Sequence, residues 1–400
     1  MSRRLKIVNA KLITPYRIIP NGSVLVDNGK IVGVGERTID AEADILDARG
    51  QYLSPGFIDI HVHGGGGHDF MDGTDEAFLK IAETHVRFGT TSMMPTTLTS
   101  DTQGLLDTLT VYDRVKARNK RGASFLGVHL EGPYFAMNQR GAQDPRYIRD
   151  PDPAEYQAVI AHSSSIRRWS AAPERDGALA FGRYLRQHGI IAALAHTDAI
   201  YEEVVEAFDN GYTLATHLYS GMSGVTRRNA FRYAGVVESA FLIDEMDVEV
   251  IADGVHLPAP LLKLIYKIKG ADRIALITDA MRAAGMPPGE SILGNLKNGL
   301  RVIVEDDVAK LPDRTAFAGS VATADRLVRN MVRLADVSLV DAVRMMTSTP
   351  ARIAGVSETK GALVPGKDAD LVLFDSDIRV STTIVGGEIL YSDRGDVSIL

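Results

Sequence analysis

Between residues 55 and 355, short and nearly continuous apolar runs alternate with longer stretches of helical period. The runs are Gly56–Val62, Thr90–Thr96, Ser124–Leu130, Ile166–Ala171, Ile190–Ala195, Thr213–Ala215, Val248–Ala252 and Arg273–Thr278. A run that is apolar on both faces fits a strand covered on both sides, as parallel sheets require. The intervening segments, for example Glu76–Phe88 and Glu202–Asn210, place apolar residues at helical spacing. Eight β–α units in about 300 residues predict an α/β protein with a (β/α)8 TIM barrel. An open, doubly wound sheet is the alternative that the same alternation allows.

The two ends of the chain read differently. Leu5–Asn9, Ser23–Asp27 and Lys30–Gly35 are β-rich, with Asn28-Gly29 as a two-residue turn. Ala369–Phe374, Ile378–Val385 and Glu388–Ser392 repeat that pattern, with Gly386-Gly387 as the turn. Neither group has enough strands for a stable sheet by itself. The expectation is a small β-sandwich domain built from both ends, 1–54 plus 356–400, beside a barrel spanning 55–355.

Composition narrows the chemistry. The 400 residues contain no cysteine, so a metal would be held by His, Asp or Glu. The net charge of -7 argues against a nucleic-acid surface. No run of 18 apolar residues and no signal-peptide pattern follow from the sequence, so a cytoplasmic protein without a membrane span is expected.

The side chains that could bind metal fall at the ends of the apolar runs. His61 and His63 close the first, Glu131 the third, His196 the fifth, His217 the sixth and Asp279 the eighth. In a barrel, all strand C-termini face one rim, so residues remote in sequence meet there. His61 and His63 are two apart on a strand and share a face. Four His and two carboxylates buried without a cation or partners would cost several kcal/mol. Such a donor set favours zinc, with iron or manganese as further candidates. Five ligands exceed the need of one catalytic ion with an open position, which suggests one or two divalent ions. A divalent centre polarises a carbonyl and lowers the pKa of water to roughly 7. Asp279, as base and then acid, would move the proton to a leaving amine. His129 shares a strand face with Glu131 and is expected to support it.

Taken together, Pro55-Gly-Phe-Ile-Asp-Ile-His-Val-His-Gly-Gly-Gly-Gly67, His129-Leu-Glu-Gly-Pro133, Ala195-His-Thr-Asp-Ala199, Thr216-His-Leu218, Asp253-Gly-Val-His256 and Thr278-Asp-Ala-Met281 resemble the N-acetylglucosamine-6-phosphate deacetylases of the amidohydrolase superfamily. Gly361-Ala-Leu-Val-Pro-Gly-Lys-Asp-Ala-Asp-Leu371 is similar to that superfamily's closing segment. The resemblance implies hydrolysis of the acetamide of N-acetylglucosamine 6-phosphate. It gives Glu131, His196 and His217 the main ion, His61 and His63 a second, and Asp279 the proton shuttle. Ala142, Asp253, Gly254, Val255, His256, Phe317, Ala318 and Gly319 would line the sugar site. Arg228 would bind the phosphate of a neighbouring subunit's substrate, which implies a homodimer. Ser220-Gly221 stand where the family often has Asn-Ala at the phosphate, and Gln143 stands where many members have a His near the scissile carbonyl. The other readings are an N-acetylgalactosamine-6-phosphate deacetylase, an amidase or cyclic-imide hydrolase on the same centre, and a non-catalytic barrel.

Overall fold

A computed structural model describes residues 4–36 and 42–393. The outermost positions of the expected terminal unit, 1–3 and 394–400, lie outside the described residues.

The two chain ends meet in a single eight-stranded sheet. Its order runs Glu388–Ser392, Val380–Val385, Leu371–Phe374, Tyr52–Pro55, Leu5–Ile13, Ile18–Asp27, Lys30–Gly35, with Asp44–Asp47 also paired to Leu5–Ile13. The junction is the antiparallel pairing of Leu371–Phe374 with Tyr52–Pro55. Ile7, Leu12, Val24, Leu53, Leu371 and Leu373 point into one shared apolar core. The two turns expected from the sequence touch each other. Asn28 and Gly29 both have positive φ, as do Gly386 and Gly387, which suits tight hairpin turns of this hand. A Cβ on Gly29 would lie 2.8 Å from the Gly386 carbonyl oxygen, so the approach needs glycine.

The centre is a curled parallel sheet. Its strands are β1 (Phe57–Val62), β2 (Thr90–Pro95), β3 (Val128–Glu131), β4 (Ile166–Ala171), β5 (Ile191–Leu194), β6 (Tyr212–Ala215), β7 (Asp247–Val250) and β8 (Ile274–Leu276). Strands β3 to β8 pair in sequence order, and β1 pairs with β2. The third expected run is not continuous. It breaks at Gly127, whose φ is 128°, so that Ser124–Phe125 pairs with β2 while Val128–Glu131 pairs with β4. A parallel bridge, Thr96 to His129, links β2 to β3. The peptide of Asp279 donates to the His61 carbonyl at 3.0 Å, and His63 donates to the Ala280 carbonyl at 2.9 Å, tying the first strand to the segment after the last. Helices cover the outside. Asp75–Val86 buries Phe78, Ile81, Ala82 and Val86 on one face, and Tyr201–Asp209 buries Val204 and Ala207. Both lie within one or two residues of the helices the periodicity predicts.

Two features have no counterpart in the periodicity of the sequence. Gly289–Leu293, Leu300–Glu305, Val308–Lys310 and Phe317–Ser320 form an antiparallel sheet after β8. Its strands are mostly half-exposed, so no long apolar run announces them. Thr226–Arg228 and Phe231–Tyr233 form an exposed hairpin. Among the described residues, no helix is long and apolar enough to cross a membrane.

Candidate metal centre and active site

The strand ends deliver the expected side chains to one place. His61 belongs to β1 and His63 follows it directly, while Glu131 is the last residue of β3. His196, His217 and Asp279 stand two or three residues beyond β5, β6 and β8. Their φ angles are 47°, 31° and 48°. Left-handed backbone at a residue with a side chain costs about 1–3 kcal/mol and persists where the surroundings enforce it. Three such residues sharing one cavity mark a place where geometry outweighs local comfort.

Two triads result. His61, His63 and Asp279 place one donor atom each within 4.8 Å of one another, and so do Glu131, His196 and His217. All six are buried. Glu131 links the sets: its Oε1 lies 3.0 Å from His217 Nε2 and 3.5 Å from both His196 Nε2 and His61 Nε2, while its Oε2 lies 3.4 Å from His63 Nε2. His63 Nε2 approaches Asp279 Oδ1 at 3.1 Å and His61 Nε2 at 3.2 Å.

The electrostatics match a cation site. Burial disfavours charge on Glu131, but His61, His63 and the hydrogen bonds from His196 and His217 hold its carboxyl well below the usual range. Burial likewise opposes charge on Asp279, yet the imidazoles around it hold it down at about 2. Burial pushes His61 below its ordinary value, whereas on His63 the carboxylates outweigh burial and draw it up to about 9. Two ionised carboxylates in a buried cavity call for positive charge, which a divalent ion among these N and O atoms would supply. The buried Nδ1 atoms of His63 and His217 have no hydrogen-bond partner. The donor set fits zinc, iron or manganese and suits neither copper(I) nor an iron–sulfur cluster.

A cavity of about 200 Å³ opens over the triads. Of the residues expected to contact substrate, Ala142, Gln143, Ser220, Gly221, His256, Phe317 and Gly319 line it. Asp253, Gly254, Val255 and Ala318 do not. Asp253 instead holds His256: its Oδ2 accepts from the ring Nδ1 at 2.7 Å, and its Oδ1 accepts from the backbone of Val255 and His256. Phe317 packs against the His256 ring, with centroids 4.7 Å apart. Gln143 is committed on both sides, donating to Glu131 Oε2 at 2.7 Å and accepting from the Thr99 peptide at 2.8 Å. Gly221 lies against His196, where an added Cβ would stand 2.7 Å from the ring Nδ1. Arg228 sits on the exposed hairpin and does not line the cavity, with its guanidinium 5.6 Å from the Tyr233 ring centre. His129 Nε2 meets Ser170 Oγ at 2.7 Å, and its ring stands edge-on to His61.

The Amidohydrolase family matches residues 52–390. The chain belongs to the amidohydrolase family. Among its amidohydrolase relatives is the N-acetylglucosamine-6-phosphate deacetylase of Lysinibacillus sphaericus, 34% identical over 92% of both chains. The N-acetylgalactosamine-6-phosphate deacetylase of Escherichia coli O157:H7 is 35% identical over 86% of this chain and 89% of its own. Among solved structures, a Mycobacterium smegmatis N-acetyl-D-glucosamine-6-phosphate deacetylase variant in complex with N-acetyl-D-glucosamine-6-phosphate superposes with a TM-score of 0.89. It is 32% identical and the match covers 98% of this chain and 100% of that one.

Sequence reasoning about this amidohydrolase missed two charged residues beneath the triads. Arg168 on β4 and Glu249 on β7 are fully buried and paired with each other. The signal in the chain was a charge inside an otherwise apolar run, Ile166-Arg-Arg-Trp169 and Val248-Glu-Val250.

Proposed function

We infer that this amidohydrolase hydrolyses the acetamide of N-acetylglucosamine 6-phosphate, releasing acetate and glucosamine 6-phosphate. One observation carries the reading. Six ligand-type side chains meet under a small cavity, in a chain that is a third identical along nearly its whole length to deacetylases of this substrate. The parallel sheet is read as a closed (β/α)8 barrel, with the sheet from the two ends as a separate small domain.

Glu131, His196 and His217 would hold one divalent ion, zinc by preference and iron or manganese otherwise, and His61, His63 and Asp279 would hold a second. When bound, such an ion polarises the acetamide carbonyl and makes water nucleophilic at neutral pH. Asp279 takes the proton of the attacking water and passes it to the sugar nitrogen as the C–N bond breaks, leaving acetate and a free amine. The ring of His256, steadied by Asp253, faces the cavity and orients the sugar. Gln143 keeps Glu131 in place. Arg228, exposed on its hairpin and not part of its own cavity's lining, would reach the phosphate bound in a neighbouring subunit of a homodimer, where its fork suits phosphate oxygens. The protein is read as cytoplasmic.

The 35% identity to an N-acetylgalactosamine-6-phosphate deacetylase favours a second reading in which the epimer is the better substrate. Acetate release is measured from both N-acetylhexosamine 6-phosphates and from free N-acetylglucosamine. The first reading expects the highest kcat/KM with N-acetylglucosamine 6-phosphate and a large loss without phosphate. Preference for the epimer overturns it in favour of the second, and no acetate from any of the three overturns both.

A further inference from the structure

Glu249 and Arg168 have no role in the chemistry above, yet both are fully buried within the curled sheet. Arg168 clasps Glu249 with both terminal nitrogens, Nη2 donating to Oε2 at 2.8 Å and Nη1 donating to Oε1. Nη2 also donates to Thr216 Oγ1 at 2.7 Å, and Nη1 to the Ile60 carbonyl at 3.4 Å. Stability does not explain such a pair, since apolar residues of similar volume often serve as well or better. What an apolar pair cannot do is hold an imidazole. Glu249 Oε2 lies 3.3 Å from His61 Nδ1. The opposite nitrogen, Nε2, lies 3.4 Å from Asp279 Oδ1 and 3.2 Å from His63 Nε2. One nitrogen therefore meets the carboxylate while the other faces the donor atoms of His63, Glu131 and Asp279. This is how a ligating His is ordinarily oriented, with its second ring nitrogen bonded to a carboxylate or a carbonyl. The other triad has a counterpart: His196 Nδ1 faces the Gln139 carbonyl oxygen at 2.8 Å.

We propose that the Arg168–Glu249 pair is a positioning device that holds Nδ1–H of His61 and turns Nε2 toward His63 and Asp279, making these three a working second divalent-ion site. The proposal rests on the metal-dependent reading above and adds which residues decide whether the second ion is held.

The test counts zinc ions per chain after dialysis and measures their affinities by chelator competition. It is applied to the wild type, to the paired variant R168L/E249L and to E249Q. Thermal unfolding checks the fold of each. The wild type is expected to hold two ions. The leucine pair is expected to keep one and to bind the second about 10–100-fold more weakly. E249Q, which still offers an oxygen to His61, is expected to fall between them. A folded leucine pair that holds two ions as tightly as the wild type overturns the proposal. A wild type that holds a single ion, lost in H217A, also overturns it while leaving the proposed hydrolase intact. A wild type that holds no ion overturns the metal reading itself. Should the leucine pair fail to fold, E249Q decides: a weakened second ion supports the positioning role, and unchanged affinities overturn it.

Discussion

The two triads of this cavity are built from different materials. His61, His63 and Asp279 come from adjoining segments tied by direct peptide hydrogen bonds, and a charged pair stands behind His61. Glu131, His196 and His217 come from three strands, with a backbone carbonyl behind His196 and an amide side chain on Glu131. The first set is rigid through backbone and buried charge. The second is held by neutral groups on the loop that carries Gln139 and Gln143. A loop-supported site adjusts to a ligand more readily than a strand-supported one. The difference suggests a division in which the second triad adjusts to the substrate while the first holds Asp279, the proposed proton carrier, in place beside it.

That division can be broken by experiment. The largest effect is expected from stripping both triads with a chelator. Acetate release should vanish and return with added zinc, iron or manganese, and activity that persists in metal-free protein would end the comparison. Next comes Asp279→Asn, which keeps an oxygen at the first triad but removes the base. Turnover should drop about 100- to 10,000-fold while metal content, read by elemental analysis, stays as in the wild type. Gln143→Ala removes the amide from Glu131. A loss of about 10–100-fold in metal affinity or activity is expected, with the ion at Glu131 weakened more than its neighbour. The smallest effect is expected from Gly221→Ala. Its φ of 58° alone makes a side chain cost about 1–2 kcal/mol, and the added carbon crowds His196. A lowered Tm with a weakened ion at the second triad would sharpen the contrast; a neutral substitution would show the His196 loop to be yielding.

Much of this architecture is legible in the order of the residues. Runs apolar on both faces locate the eight parallel strands, because burial on two sides leaves no room for polar alternation. Five of those runs end in His, Glu or Asp, so the gathering of six donor side chains can be anticipated from fold class alone. The turns Asn28-Gly29 and Gly386-Gly387 are legible too, although nothing local reveals that they touch. The four-stranded insert carrying Phe317 and Gly319 is not legible. Its half-exposed strands carry a weak pattern, and their order depends on antiparallel pairings that the sequence does not advertise.

By itself, the sequence determined which residue types were available, no thiol and a set of N and O donors, and where the parallel strands, the helices between them and the two terminal turns would lie. Only the tertiary structure decided that Asp253 serves His256 rather than the cavity, that Gln143 is bound to Glu131, that Arg228 sits on an exposed hairpin, and that Arg168 and Glu249 stand behind His61. Each of these is a matter of direction and of a few ångströms between residues distant in sequence. Periodicity fixes a face of a strand, but the partner a side chain meets is set by how the strands curl and pack against one another.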